Sequence, residues 1–203
     1  MTKVKICGIT NLVDAMRAVE AGADALGFIF VEGTPRFVTP AAAGSVIRAL
    51  PPFVTAVGVF WNHPAGHVKA IAESCGLGAL QFHGDEPPED LAGYALPVIK
   101  TLKVARAGDL APMDAYAVAA FLLDSPERWS EGEVRRPIQW ALAREAATRG
   151  RIILSAGLTP ANVADAIGTA RPWGVDVNSG VEARPGEKDP VKLRDFIAAA
   201  KQA

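Results

Sequence analysis

One unit recurs along this chain and restricts its fold more than any other feature. A short apolar run is followed by a Gly-rich or polar loop, then by a longer stretch with apolar residues three and four apart. Eight runs read as strands: Lys3–Cys7, Ala25–Phe30, Val54–Phe60, Ala79–His83, Val98–Leu102, Phe121–Asp124, Ile152–Ser155 and Val175–Asn178. Helical spacing fills the intervals, as in Asp14–Ala21 and Gln139–Thr148. Thr39-Pro40, Thr159-Pro160 and Asp189-Pro190 each place a capping residue before a Pro at the first helical position. Gly22, Gly76 and Gly150 sit where helices should stop. The weakest helical patterns follow the fourth and fifth strands. Eight such units in 203 residues predict one α/β domain over 1–203, a compact (β/α)₈ TIM barrel. A doubly wound open sheet is the alternative, and no G-x-G-x-x-G follows the first strand to support its dinucleotide-binding version.

The strand ends carry the chemistry. Val4 and Ile6 alternate with Lys5 and Cys7, so an amine and a thiol share one face. Leu80 and Phe82 oppose Gln81 and His83, and Val175 and Val177 oppose Asp176 and Asn178. Cys7, His83, Asp124 and Asn178 therefore converge on the carboxyl-end rim, where barrel enzymes hold their active sites. For Cys7 alone, a small core residue is the competing reading. Gly157 lies in the turn after the seventh strand, and Ser179-Gly180 follow the eighth. Glycine turns at this pair of strands suit a phosphate, because bare backbone N–H groups can approach an anion closely. Arg36, held beside Pro35 in the second loop, suits a carboxylate or phosphate, or is a solvated loop residue. Lys5 either favours a Cys7 thiolate or pairs with an inward carboxylate such as Asp176; both readings stand.

Other classes are disfavoured. Net charge is −1, so nothing points to nucleic acid. No apolar run approaches the ~18 residues of a membrane span, and no signal peptide is evident. Two cysteines, Cys7 and Cys75, make no disulfide framework, and a cytoplasmic, reducing setting is expected. His63 and His67 are four apart, but Pro64 lies between them and no third ligand is evident, so they read as surface residues rather than a metal site.

The segments KICGIT (5–10), GADALGFIF (22–30), TPR (34–36), VGVF (57–60), QFHGDE (81–86), LLD (122–124), LSAGLTPANV (154–163), GVDVNSGVE (174–182) and PGEKD (185–189) together resemble the phosphoribosylanthranilate isomerase family of tryptophan biosynthesis. The resemblance spans nearly the whole chain. It implies a (β/α)₈ barrel and an Amadori rearrangement of N-(5-phosphoribosyl)anthranilate, with no cofactor and no metal. It implies that Cys7 is the general base at the sugar C2 and Asp124 the general acid at the ring oxygen. It further implies that Arg36 holds the anthranilate carboxylate, and that backbone around Gly157, Ser179 and Gly180 holds the phosphate, beside His83 and Asn178. An acid at Asp124 needs a raised pKa. A base at Cys7 needs a thiolate, while an unperturbed thiol near pKa ~8.5 is mostly protonated at neutral pH.

Three departures stand out: loop 125–133 retains only Gly132 of a glycine-rich stretch, Ala156 replaces a second glycine, and Asn178 replaces a serine. The implied partner is the phosphosugar–anthranilate substrate alone, with the chain a monomer or a homodimer, since family members occur as both. Two rivals remain. The related histidine-pathway aminoaldose isomerase places Asp at the first strand end, where this chain has Cys7. The other rival is a barrel that binds a phosphorylated sugar without turnover.

Overall fold

The computed structural model describes residues 1–126 and 137–203. Eight parallel strands close into a barrel in sequence order: β1 (Lys3–Ile6), β2 (Ala25–Ile29), β3 (Thr55–Phe60), β4 (Ala79–Phe82), β5 (Val98–Lys103), β6 (Ala120–Asp124), β7 (Ile152–Leu154) and β8 (Gly174–Val177). β1 pairs with both β2 and β8, and the β1–β8 register sets Lys5 opposite Asp176. Each predicted strand is present to within a residue or so at its ends, and the open-sheet alternative falls with the closure.

Period-two alternation divides the apolar residues into two cores. Val4, Ile6, Leu26, Phe28, Phe60, Leu80 and Phe82 point outward and pack under the helices. Burying a side chain of that size stabilises by about 1.5–3 kcal/mol, so this outer layer supplies most of the hydrophobic stability. Val57, Ala79, Ile99, Ala120, Leu122 and Ile153 fill the inside of the barrel as a smaller, separate cluster. Above that plug the inward positions turn polar.

The helices are α1 (Leu12–Ala21), α2 (Pro40–Ile47), α3 (Ala65–Cys75), α4 (Pro88–Leu91), α5 (Trp140–Ala146), α6 (Val163–Ala170) and α7 (Pro190–Gln202). A 3-10 helix over Ala107–Ala115 stands in for one after β5. That element and the single turn of α4 follow the two strands where the helical pattern is weakest. Thr39 and Asp189 cap α2 and α7 as expected, with Asp189 accepting from Val191 N and Lys192 N at 2.9 and 3.0 Å. Gly22 and Gly76 end α1 and α3 in the left-handed conformation.

Two expectations are corrected. Thr159-Pro160 does not open α6, which starts at Val163. The Asn162 side chain bridges Gly157 O and Thr159 N, at 2.9 and 2.8 Å, and holds 157–162 as a turn. Gly150 does not cap α5, which ends at Ala146; i→i+3 bonds from Thr148 N and Arg149 N tighten the chain before the glycine is reached. After β8 a short hairpin, β9 (Glu182–Arg184) and β10 (Glu187–Lys188), folds back across the rim.

Candidate active site

The carboxyl ends of the strands surround a cavity of about 650 Å³. Cys7, Arg36, His83, Asp124, Gly157, Asn178, Ser179 and Gly180, all eight expected from sequence, line it. No two of the first four share a strand or loop. The barrel closure alone brings them together.

Cys7 follows β1, is 5 % exposed, and is fixed by its backbone N–H donating to Val177 O at 2.8 Å. Below it, Lys5 Nζ meets Asp176 Oδ1 at 2.7 Å, with both side chains buried. Ser155 Oγ lies 3.3 Å from the other Asp176 oxygen. Lys5 also lies beside the Cys7 side chain, since a Cβ on Gly27 would stand 3.1 Å from Lys5 Nζ and 2.8 Å from Cys7 Sγ. Burial raises the Cys7 pKa; Lys5 pulls it down and Asp176 pushes it up, and the net direction is up. For Lys5, burial lowers the pKa, but Asp176 and Cys7 outweigh it and the ammonium is favoured. The reading of Lys5 as the partner of Asp176 is realised, and its charge also acts on the sulfur. The resting sulfur is nonetheless a thiol.

Across the cavity, Asp124 ends β6. Ser125 N donates to its Oδ1 at 2.9 Å, and His83 Nε2 approaches its Oδ2 at 3.3 Å. His83 stacks on Trp61, with centroids 5.4 Å apart, and Lys103 Nζ lies 4.6 Å from the Trp61 ring centre. Trp61 and Lys103 line the cavity too. Sequence reasoning missed them because each follows an apolar strand run and carries no motif. Gln81 donates to Thr101 Oγ1 at 3.2 Å, and its buried carbonyl oxygen has no protein partner among the described residues. His63 and His67 lie outside the cavity lining, on the α3 side of the rim.

Arg36 is no solvated loop residue. It is buried, and its Nε and Nη2 grip Glu182 at 2.9 and 2.6 Å in a bidentate pair. Lys188, wholly buried, donates to Glu182 Oε1 at 3.1 Å and to Asn178 Oδ1 at 3.0 Å. Burial lowers the Glu182-facing Lys188 pKa in spite of that carboxylate. For Glu182, burial works upward, but the Arg36 hydrogen bonds and the Lys188 charge prevail and hold its carboxyl below the usual range. This Arg36–Glu182–Lys188 cluster was not read from sequence. The only signal was the Pro185-Gly186 turn, which closes the β9–β10 hairpin. The cluster also explains Asn178, whose amide oxygen serves Lys188.

The turns after β7 and β8 pack directly on each other. A Cβ on Gly180 would stand 1.9 Å from Leu158 O, so only glycine fits. Ala156 adopts φ +64°, the left-handed region, where a second glycine was expected. Residues 127–133 of the altered loop lie outside the described residues.

Comparison with known proteins matches this arrangement. The family model for N-(5'-phosphoribosyl)anthranilate (PRA) isomerase matches residues 4–199. A curated N-(5'-phosphoribosyl)anthranilate isomerase of Pelobacter propionicus is 52 % identical, over 100 % of this chain and 97 % of its own. The crystal structure of phosphoribosyl anthranilate isomerase from Thermotoga maritima superposes with TM-score 0.93 at 40 % identity, covering 100 % of both chains. A crystal structure of such an isomerase in complex with reduced 1-(o-carboxyphenylamino)-1-deoxyribulose 5-phosphate superposes with TM-score 0.90 at 40 % identity, again over 100 % of both. The eight-stranded closure, the thiol and carboxylate facing one cavity, and these full-length matches agree: the chain belongs to the N-(5'-phosphoribosyl)anthranilate isomerase family.

Proposed function

We propose that residues 1–203 form one catalytic domain that converts N-(5-phosphoribosyl)anthranilate to 1-(2-carboxyphenylamino)-1-deoxyribulose 5-phosphate, with Asp124 as general acid and Cys7 as general base. The observation that carries this reading is the cavity lined by both groups, which stand at the ends of separate strands, β1 and β6. Asp124 gives its proton to the furanose ring oxygen, the C1–O bond breaks, and the aniline nitrogen lone pair forms an iminium. Cys7 thiolate then takes the C2 proton. The C2–H pair becomes the C1–C2 double bond, and the iminium electrons return to nitrogen. The enolamine tautomerises to the ketone. Phosphate sits against the Gly157 and Ser179-Gly180 turns. Arg36 faces the anthranilate carboxylate, since a guanidinium with five N–H donors can serve two carboxylates at once. His83 orients Asp124 and borders the substrate, as does Asn178.

The chain acts as a monomer or a homodimer; a Thermotoga maritima relative is described as dimeric, with monomers generated from it. Among the described residues no helix is long and apolar enough to cross a membrane. A reducing cytoplasm suits a reaction that needs Cys7 as a free thiol.

Single substitutions test the roles. Cys7→Ser removes the ionisable thiol and Asp124→Asn the transferable proton, each with little change in shape. Each is expected to lower kcat by roughly 10²–10⁴. The double variant is expected to be little worse than the more damaged single, because groups acting as one unit are non-additive. The assay is loss of anthranilate-type fluorescence from the substrate. A Cys7→Ser enzyme within tenfold of wild type would sink the base assignment.

A further inference from the structure

We propose that the buried Lys5–Asp176 pair sets the thiolate population of Cys7: Lys5 is the positioning cation for the base, and Asp176 restrains it. This rests on Cys7 being the base. Three observations carry it. Lys5 Nζ meets Asp176 Oδ1 at 2.7 Å, and its charge acts on the Cys7 side chain two residues along the same strand face. Both members of the ion pair are about 95 % buried, so water screens neither. The neighbouring strand is cut back to admit them: a Cβ on Gly27 of β2 would lie 2.8 Å from Cys7 Sγ and 3.1 Å from Lys5 Nζ. The thiol, the ammonium and a bare backbone therefore form one close-packed unit under the cavity floor.

A purely structural ion pair has no need of the sulfur. This one has its cation beside a sulfur that lines the reaction cavity. When Cys7 loses its proton, the new anion meets an ammonium already in place, and Lys5 stays protonated throughout. Asp176 works the other way, since its negative charge competes for Lys5 and opposes a second anion. Burial raises the resting thiol pKa, and the opposed charges of Lys5 and Asp176 act on top of it. Other charges face the sulfur from neighbouring elements. Lys188 of β10 favours the thiolate. Arg36 and Glu182 form an opposed pair beside Lys188, and His83 and Asp124 stand across the cavity. Lys5 and Asp176, paired across β1 and β8, lie in the layer below Cys7.

The two halves of the pair should therefore move the thiolate in opposite directions. The test uses a Cys75→Ala background, which leaves Cys7 as the sole thiol. The rate of Cys7 alkylation by a small neutral reagent is followed against pH, beside the pH profile of kcat. Lys5→Met is expected to move both ascending limbs alkaline by about one pH unit or more, and Asp176→Asn to move both acid by a similar amount. The Lys5→Met/Asp176→Asn double variant should fall between. Should Lys5→Met fail to fold around an unpaired carboxylate, Asp176→Asn and the double variant still decide the matter. Limbs that stay in place, or singles that shift the same way, overturn the proposal. Turnover by Cys7→Ser tests the base assignment separately, because the alkylation limb reads the Lys5 effect whichever group is the base.

Discussion

At the residue scale, Arg36 shows how one side chain serves fold and site together. Its grip on Glu182 ties the second loop to the hairpin after β8, 146 residues further along the chain. The same guanidinium lines the cavity, within reach of the carboxylate of the proposed substrate. Losing one charge-assisted interaction costs ~1.5–3 kcal/mol. Arg36→Met should therefore raise KM about tenfold or more while leaving kcat within a few-fold. It should also lower the melting temperature, since Glu182 loses its bidentate partner. Steady-state kinetics separate the two effects, and an unchanged KM removes Arg36 from carboxylate recognition.

At the element scale, the loops after β7 and β8 behave as one structure. Asn162 pins the first, Lys188 pins the second by donating to Asn178 O at 3.2 Å, and Gly180 lets them meet. A turn held this way is already ordered before an anion arrives, so little entropy is lost on binding. Inorganic sulfate or phosphate is expected to compete with substrate, raising apparent KM without changing kcat. A sulfate soak should show density between Gly157 and Gly180. Density elsewhere with these turns empty would count against the phosphate assignment. Lys188 belongs to this element as well. The β9–β10 hairpin exists to carry it inward, and Lys188 N is itself anchored on Asp14 of α1 at 2.9 Å.

At the scale of the whole molecule, charged contacts close the barrel where β1 meets β8 and the termini meet. Asp24 binds both Lys3 and Lys201, joining the start of β1, the turn before β2 and the end of α7. Glu182 joins Arg36 and Lys188 on the opposite face of the same seam. Burial works against both carboxylates, yet their hydrogen-bonded cations leave both pKa values lowered. In the acid range the unfolded chain therefore binds more protons than the folded one. The stabilisation is full above the unfolded value of about 4.3 and is lost as pH falls through the lower folded values. Glu182, being buried, should dominate; Asp24 is partly exposed and screened. Thermal melts from about pH 5 down to about pH 3 should fall more steeply for wild type than for Glu182→Gln. Equal slopes would show that Glu182 contributes no such linkage.

Much of this molecule was legible in its residues because the relevant physics is local. Alternation at Val4–Cys7 and Val175–Asn178 follows from strand geometry, so inward and outward faces were fixed before any contact formed. Capping at Thr39 and Asp189 is likewise a matter of a few neighbouring atoms. What stayed hidden depends on pairs far apart in sequence. Arg36 with Glu182 and His83 with Asp124 meet only when eight strands close with one register, and that closure also decides that Lys5 pairs with Asp176, one of two partners its strand face allowed. Thr159-Pro160 carried a sound helix-start signal, and a longer-reaching side chain, Asn162, overrode it. Sequence alone determined the barrel, the polar strand ends and the family. Tertiary closure decided which charges share a dry site, and hence how firmly Cys7 holds its proton, because burial and ion pairing are properties of neighbours and not of spacing.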